Sequence, residues 1–336
     1  MREETRSPAG MAEIAAAAGV AVSTVSRALS GAPGVSTAKR AQILAIARQF
    51  GYIAGDPGPS PRRTPNGRIA AVIPEADRWV FGSMLAGLHD VLTPDMASFT
   101  VYQGMSAAER AKIFGALPRR ADAVILVPMP SGLSVDAARD LGVPVIAAGT
   151  IVAGLHSVGI DDVAVGQKAT NYLINTGYRR IVYASYTDHD GMPGSAGFHR
   201  GQGFALSMER AGLEASWQVL VPFGPSAGRD AAEALLAGDA LPEAVVAASD
   251  EMAAGMMATF RAAGVRVPDD IAIIGVDDHP VAALVGLTTI AQPAREQGRA
   301  AARMALRILA GDDSVTSEVL ATKLIIREST ARPPAR

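Results

Sequence analysis

The sequence predicts an α/β protein that consists of a small N-terminal helical domain and a larger body of two doubly wound subdomains. After residue 68, apolar runs of three to six residues alternate with longer stretches of helical pattern, which is typical of parallel strands connected by helices. The first fifty residues instead have helical patterns interrupted by glycine. Charge divides the chain at the same place, because residues 1–68 hold nine basic and four acidic side chains, whereas the other 268 hold 22 basic and 29 acidic ones.

This asymmetry in charge points to two different roles. A basic segment joined to an acidic body is typical of a nucleic-acid-binding module attached to a domain with another function. A solvated charged tail would give the same balance, so the residues of the segment must decide between the two.

Length and composition exclude several classes of protein. The chain has 336 residues, of which 49% are hydrophobic and 19% charged, so it can bury a sizeable core. It has no cysteine, which excludes a disulfide framework, a thiolate metal site and a cysteine nucleophile. No apolar run approaches the ~18–20 residues of a membrane span. The polar N-terminus, MREETRSPAG, lacks the apolar core of a signal peptide, so we expect a cytoplasmic protein.

The first two helices have a helix-turn-helix pattern. Residues 11–18 are rich in alanine and end at Gly19, and a second short helix is expected from about Ser23 to Leu29. Its exposed side presents side chains that can bond base edges and phosphates in a major groove: Ser23, Thr24, Ser26 and Arg27. A third helix is predicted after Ser36, a suitable N-cap, with a core-facing stripe at Ile43, Ile46, Ala47 and Phe50.

A proline-rich linker follows over residues 55–68. Pro57, Pro59 and Pro61 lie within five residues, and each proline inside a helix costs about 3 kcal/mol. We therefore predict an extended, polyproline-like linker. Arg62 and Arg63 are candidates for contact with phosphates or a narrow minor groove; alternatively, they only keep a flexible tether soluble.

The body contains eight candidate strands, at residues 69–74, 99–102, 123–128, 143–147, 180–184, 219–221, 244–248 and 271–275. Continuous apolar runs suit parallel strands that are covered on both faces. Ligands bind such sheets beyond the carboxyl ends of the strands, and two facing subdomains bring those ends to one cleft.

Longer segments resemble one known family. AEIAAAAGVAVSTVSRALSG and VSTAKRAQILAIARQFGYIAG are similar to the DNA-binding headpiece of the lactose-repressor (LacI/GalR) family of bacterial transcription regulators. SVGIDDVAVGQKATNYLINTGYRRIVYAS and EAVVAASDEMAAGMMATFRAAGVRVPDDIAIIGVDD resemble the family's effector-binding core, which is itself similar to periplasmic sugar-binding proteins. The resemblance covers residues 11–330. It implies a helix-turn-helix headpiece and two doubly wound α/β subdomains of periplasmic-binding-protein type.

The resemblance also implies boundaries. The headpiece is expected over residues 1–54, the linker over 55–68, and the effector-binding and dimerisation domain over 69–330. Within that last domain, subdomain 1 is expected at about 69–161 and 291–321, and subdomain 2 at about 162–290 and 322–330.

For DNA binding, the resemblance implies that Val22 and Ser23 read bases, that Arg27 faces the groove, and that Thr24 and Ser26 contact phosphate or position the helix. Two features depart from the family. Ala21 stands where a serine usually caps the recognition helix, a loss of roughly 1 kcal/mol of helix stability. Pro61 stands where the family has the leucine that wedges a base step from a hinge helix.

For effector binding, the candidates follow strand ends of the second subdomain. Arg200 matches the effector-binding arginine and Asp277 an acidic ligand residue; a guanidinium and a carboxylate can each engage two hydroxyls. Ser249 and Asp250 end the strand before Asp277. Phe223 is near the position of an aromatic platform, and Gln292 lies in a crossover. The alternatives are a structural salt bridge for Arg200 and Asp277, and a core role for Phe223.

Other signals are discounted. Asp161 and Asp162 begin a helix, where capping and hinge support are expected instead of catalysis. Asp277, Asp278 and His279 lack a second histidine at ligand spacing, and with five histidines in the chain no metal site is expected. Gly149 stands where relatives often carry an acid, which removes one expected sugar partner.

Together these features predict a ligand-responsive, sequence-specific DNA-binding transcriptional regulator. We expect a homodimeric repressor that binds double-stranded operator DNA and is released by a small-molecule effector, a sugar or sugar-like metabolite. Neither enzymatic activity nor a cofactor is expected. The alternative is a cytoplasmic sugar-binding or sugar-processing protein with a degenerate headpiece.

Overall fold

The computed structural model describes residues 11–29, 33–49, 67–93, 99–104, 106–128, 130, 133–187, 195–215 and 218–331. The chain divides into two compact units, Met1–Thr64 and Pro65–Arg336, and each is described by itself. Residues 50–66, which include Pro57, Pro59, Pro61, Arg62 and Arg63, lie outside the described residues. The extended linker and its DNA contacts therefore stay predictions.

Three helices form the described part of the N-terminal unit: α1 Met11–Ala18, α2 Val22–Leu29 and α3 Thr37–Gln49. The turn after α1 contains Gly19 with φ at +61°, a conformation that glycine adopts without a side-chain penalty. Ile14, Val25 and Ile43, one from each helix, are fully buried in a small common core. The predicted helix-turn-helix layout is confirmed, and α2 begins at Val22, one residue before the predicted start.

The larger unit contains two six-stranded sheets. The first has the strands β1 Ile69–Ile73, β2 Phe99–Gln103, β3 Ala123–Leu126, β4 Val145–Ala148, β5 His156–Gly159 and β11 Glu318–Val319. Their order is β11-β5-β4-β3-β1-β2 and all neighbours are parallel. The helices packed on this sheet are α4 Trp79–Leu92, α5 Ala107–Arg120, α6 Val135–Arg139 and α12 Ala294–Leu309. This sheet with its helices is called subdomain 1.

The second sheet and its helices form subdomain 2. Its strands are β6 Ile181–Tyr186, β7 Gln218–Val221, β8 Ala244–Ala247, β9 Ala272–Asp277, β10 Thr288–Ala291 and β12 Lys323–Ile325. The order is β12-β10-β9-β8-β6-β7, and β12 is antiparallel to β10 while the other pairs are parallel. Its helices are α7 Asp162–Asn175, α8 Ser195–Arg210, α9 Ala227–Leu236, α10 Asp250–Ala262 and α11 Pro280–Leu284.

The chain passes between the two subdomains three times. It leaves subdomain 1 between β5 and α7, returns between β10 and α12, and leaves again between β11 and β12. Strands β1, β3, β4 and β8 are buried along their whole length, as expected of apolar runs covered on both faces. The α/β fold class predicted from these runs is confirmed.

Close helix packing depends on glycine, as two helix pairs illustrate. A Cβ on Gly87 of α4 would overlap the Arg295 carbonyl oxygen of α12, and one on Gly166 of α7 would overlap the Arg200 carbonyl oxygen of α8. Each pair of helices can therefore approach with backbone against backbone. In the described part of the chain, no helix is long and apolar enough to cross a lipid bilayer.

Candidate functional site

The carboxyl ends of the strands in subdomain 2 gather a set of polar side chains that are almost completely buried. Arg200, Ser249, Asp250, Asp277 and Gln292 each expose less than a tenth of their surface. Ser249 and Asp250 follow β8, Asp277 ends β9, and Gln292 follows β10, so three neighbouring strands deliver four of the five positions. Burial on this scale requires partners for each group.

Arg200 is fixed by contacts within the protein. Its Nε donates to Asp162 Oδ1 at 2.8 Å, and its Nη1 donates to the Ala248 carbonyl oxygen at 2.6 Å. Gly166 permits this pairing because it lets α8 approach α7, which carries Asp162. Burial raises the pKa of Asp162, while the Arg200 charge opposes that shift. The structural salt bridge considered for Arg200 therefore exists, and its guanidinium stands rigidly at the end of the sheet.

Asp277 is linked to the crossover between the subdomains. Gln292 donates from Nε2 to Asp277 Oδ1 at 2.5 Å, and Gln292 Oε1 accepts from Gln297 Nε2 at 2.8 Å. Gln297 belongs to α12 of subdomain 1, so this relay crosses from one subdomain to the other. Asp277 and Asp278 have φ of +131° and +57°, a conformation that is uncommon for residues with side chains. This strained backbone therefore fixes the orientation of the residues at the end of β9.

Ser249 and Asp250 have structural partners. The Ser249 hydroxyl caps α10 by accepting from the Met252 N–H at 3.3 Å. Asp250 Oδ1 accepts from Thr289 Oγ1 at 2.6 Å, and Asp250 Oδ2 accepts from the His279 N–H at 2.8 Å. Both carboxylate oxygens of Asp250 are thus engaged in holding the segment after β9, and its contact with a ligand stays a prediction.

Phe223 follows β7 and is half-buried. The Tyr186 ring lies 4.9 Å away at 72°, and the Arg78 guanidinium carbon lies 4.6 Å from the Phe223 ring centroid. Arg78 comes from subdomain 1, so the carboxyl ends of the two sheets do face one cleft. Burial raises the pKa of the Tyr186 hydroxyl, and the charges of Arg200, Asp277, Arg78 and Glu251 act on it. Tyr186 therefore lies among the charged groups of both sides.

Arg78 and its neighbour Trp79 were not among the predicted site residues. Arg78 forms an ion pair with Glu251 of α10 at 2.5 Å, and the Trp79 ring lies 5.3 Å from the His279 ring. The rule that ligands bind beyond strand ends, applied to the segment that follows β1 as it was to subdomain 2, would have found both.

The subdomain 1 side has little room for a polar group at Gly149. This residue follows β4 with φ at +91°, and a Cβ there would lie 3.1 Å from Met84 Cε and 3.8 Å from Pro128 Cβ. An acidic side chain at this position would need both a strained backbone and a displaced methionine. Gly149 is therefore backed by apolar side chains.

The structure shows the contacts of Asp161 and Asp162, the two carboxylates at the start of α7. Asp161 caps α7 by accepting from the Ala164 N–H at 2.9 Å, as expected. Asp162 instead turns into the core to pair with Arg200. Among the described residues, no three acidic or histidine side chains are grouped to hold a metal ion.

In the N-terminal unit, α2 presents the predicted DNA-contacting face. Val22, Ser23, Ser26 and Arg27 are exposed, while Thr24 is half-buried. Val25 and Ala28, on the opposite side, are buried in the core of the unit. The helix therefore offers one polar face with a single basic side chain, as expected for an element that enters a major groove. The contacts themselves stay predictions.

Comparison with known proteins gives a consistent result. Residues 10–54 match the family model described as bacterial regulatory proteins, lacI family, and residues 170–330 match the periplasmic binding protein-like domain. The HTH-type transcriptional regulator CelR of Thermobifida fusca is 32% identical, over 94% of this chain and 96% of its own. The HTH-type transcriptional repressor CytR of Escherichia coli (strain K12) is 30% identical, over 97% of each chain.

A solved structure extends this similarity to three dimensions. The transcriptional regulator CelR–cellobiose complex superposes with a TM-score of 0.69 at 30% identity, and the match covers 96% of this chain and 99% of the other.

Proposed function

This chain belongs to the lacI family of bacterial regulatory proteins and is a helix-turn-helix transcriptional regulator, and we propose that it is a repressor released from DNA by a neutral sugar. The sugar binds in the cleft between the two subdomains. The alternative of a sugar-binding or sugar-processing protein with a degenerate headpiece loses its support, because relatives that match almost the whole chain are transcriptional regulators.

The observation that carries the proposal is the buried polar cluster at the end of the second sheet. Among the described residues it combines one guanidinium, Arg200, with three carboxyl groups, Asp162, Asp250 and Asp277. An anionic ligand would add negative charge to a buried cluster in which carboxyl groups already outnumber the guanidinium group. Hydroxyl groups both donate and accept, so a neutral sugar suits Asp277, Gln292 and Arg200 together.

The Phe223 ring supplies the second element of sugar recognition. An aromatic face packs against the C–H face of a pyranose while the rim of the sugar bonds to polar groups. Cellobiose in the similar CelR structure supports a carbohydrate in this cleft. Direct ligand contacts are assigned to Arg200, Asp277, Gln292 and Phe223, with Ser249 and Asp250 holding the surrounding backbone.

The sugar acts by shifting the arrangement of the two subdomains. A ligand changes such an equilibrium only through different affinity for the two states, and a site lined from both subdomains provides that difference. Two chains assemble as a homodimer in the cytoplasm, and their α2 helices bind the half-sites of a near-palindromic operator.

Selection of sites from random double-stranded DNA by the full-length protein, at moderate salt, tests the DNA half of the proposal. A recovered palindrome supports it, and a panel of neutral sugars and sugar acids added to the complex then tests the effector half. We expect release by a neutral sugar and none by its acid. Recovery of only salt-sensitive, unspecific DNA would contradict the proposal.

Replacement of Arg27 tests base reading directly. Because Arg27 is the basic side chain on the exposed face of α2, we expect Arg27→Ala to lose about 1–3 kcal/mol of discrimination between the selected site and a site with one changed base pair. Competition binding measures this ratio, with Arg229→Ala of the body as the control for charge. An unchanged ratio with uniformly weaker binding would show that Arg27 contacts phosphate only.

A further inference from the structure

Two consecutive residues of subdomain 1 reach across the cleft. Arg78 is the N-cap residue of α4 and Trp79 is the first residue of that helix. Arg78 pairs with Glu251 of α10 and lies over the Phe223 ring, and the Trp79 ring contacts the His279 ring at 5.3 Å. All three partners belong to subdomain 2, in the segments that follow β7, β8 and β9. Together these residues form a cross-cleft clasp, which consists of Arg78, Trp79, Glu251, Phe223 and His279.

The clasp is better shielded from water than the ion pairs on the surface. The Arg78 and Glu251 side chains expose 15% and 30% of their surface, whereas Arg266 and Asp270, a pair within subdomain 2, expose 67% and 35%. Solvent screening is weaker at a partly buried pair. The cation–π contact with Phe223 adds to the same side chain. Arg78 therefore makes a stronger connection between the subdomains than an exposed pair would.

Arg78 also occupies a surface that the proposed ligand needs. Its guanidinium lies 4.6 Å above the Phe223 ring, and the Tyr186 ring packs against the same phenylalanine at 72°. A sugar that stacks on Phe223 requires an open ring face. The guanidinium and the sugar therefore compete for one position.

We infer that Arg78 is an internal occupant of the effector site, and that an incoming sugar displaces it from Phe223 and separates it from Glu251. Displacement removes an ion pair that joins the subdomains, so occupancy of the cleft and the arrangement of the subdomains are coupled through one side chain. The competition rests on the proposed function, whereas the clasp can be tested without ligand or DNA.

The test of the clasp uses Trp79 emission in the full-length chain. The sequence has two tryptophans, Trp79 and Trp217, so Trp217→Phe leaves Trp79 as the single reporter. In this background we expect Arg78→Gln and Glu251→Gln each to shift the emission to longer wavelength, because Trp79 separates from His279 and gains solvent. Arg266→Gln is the control, since it breaks an ion pair inside one subdomain, and it should leave the emission unchanged.

A charge swap separates loss of the pair from general damage. Arg78→Glu and Glu251→Arg should each shift the emission, and the double variant should return it toward that of the parent. Unchanged emission in all single variants, or a double variant that is additive instead of restored, overturns the clasp.

Cellobiose, the sugar in the similar CelR complex, serves as the probe of competition. We expect Arg78→Gln to bind it 5–150-fold more tightly than the parent by calorimetry, the usual range of a coupling between two states. Equal affinity, including no binding by either protein, overturns the competition. Failure of the operator selection would contradict the proposed function, whereas unchanged Trp79 emission would contradict the clasp, so the two failures are distinguishable.

Discussion

The two sides of the cleft are built on the same fold and differ in chemistry. Subdomain 2 contributes buried groups that are fixed by the protein itself, such as Arg200 on Asp162 and Asp277 on Gln292. Subdomain 1 contributes Gly149, which is backed by the buried side chain of Met84, and two side chains, Arg78 and Trp79, that already contact the other side. One side is therefore held in place by the protein itself, whereas the other carries the side chain that the proposed sugar would displace.

The largest effect should come from the fixed side. Arg200→Ala removes the partner of a buried carboxylate, and breaking a buried pair in this way costs about 3–5 kcal/mol. Urea unfolding should show this loss of stability. The variant should also lose the sugar response, measured as release from DNA.

A double variant identifies the reason for that loss. Asp162→Asn combined with Arg200→Ala should recover part of the stability without recovering the response, because the buried charge is gone but the donor is still missing. If the stability of Arg200→Ala is close to that of the parent, the Arg200–Asp162 pair does not fix this side of the cleft.

A smaller effect is expected from the subdomain 1 side. Gly149→Ala forces a side chain into φ of +91° beside Met84, and strained backbone of this kind costs about 1–3 kcal/mol. The free energy of unfolding measures it. Gly142→Ala, at φ of +69° with open space around it, is the matched control for backbone strain. An equal loss at both positions would show that packing against Met84 contributes nothing.

The smallest effect is a change in pH dependence at Asp277. Burial raises the pKa of this carboxyl; Arg200 opposes the shift, and Asp250 and Glu251 reinforce it. The native protein therefore binds this proton more tightly than the unfolded chain, so its stabilisation is lost as pH rises from the usual aspartate pKa, about 3.9, through the raised value. Asparagine does not titrate, so only the parent loses this stabilisation. The free energy of unfolding of Asp277→Asn should therefore increase relative to that of the parent as pH rises over this interval.

Asp270→Asn provides the opposite control. Arg266 lowers the pKa of Asp270 to about 2, so its contribution is lost only as pH falls below the usual aspartate range, and the difference from the parent should stay flat above it. Thermal unfolding midpoints between pH 5 and 8 separate the two. Parallel curves for Asp277→Asn and the parent would contradict a raised pKa.

Local patterns in the sequence predicted most of the fold. Continuous apolar runs located β1, β3, β4, β6, β8 and β9, and the glycine after an alanine-rich helix located the turn before α2. The runs did not reveal β5 or β10, because His156–Gly159 and Thr288–Ala291 are short and mix polar with apolar residues. Their strands depend on neighbours in the sheet and not on their own pattern.

Residues of the candidate site could be predicted from strand ends and from the family resemblance, but their contacts could not. Ser249 and Asp277 stand at the ends of strands that the apolar runs revealed and could be selected for that reason, whereas Gln292 was selected for its place in a crossover. The pairing of Arg200 with Asp162 could not be predicted, because the two residues are 38 positions apart and meet only where Gly166 lets α7 and α8 touch. Arg78 was missed because the strand-end rule was applied only to subdomain 2, although Arg78 lies in the segment that follows β1.

The return of the chain to subdomain 1 at α12 also has a consequence during synthesis. Ala301, Met304 and Ala305 of α12 pack into the same core as Leu88 and other residues of the first sheet. A nascent chain that has emerged only as far as β10 therefore carries a nearly complete second sheet beside a first sheet with one side of its core open to solvent. Until α12 has left the ribosome, the apolar residues that it covers stay exposed, and transiently exposed apolar surface of this kind is prone to aggregation.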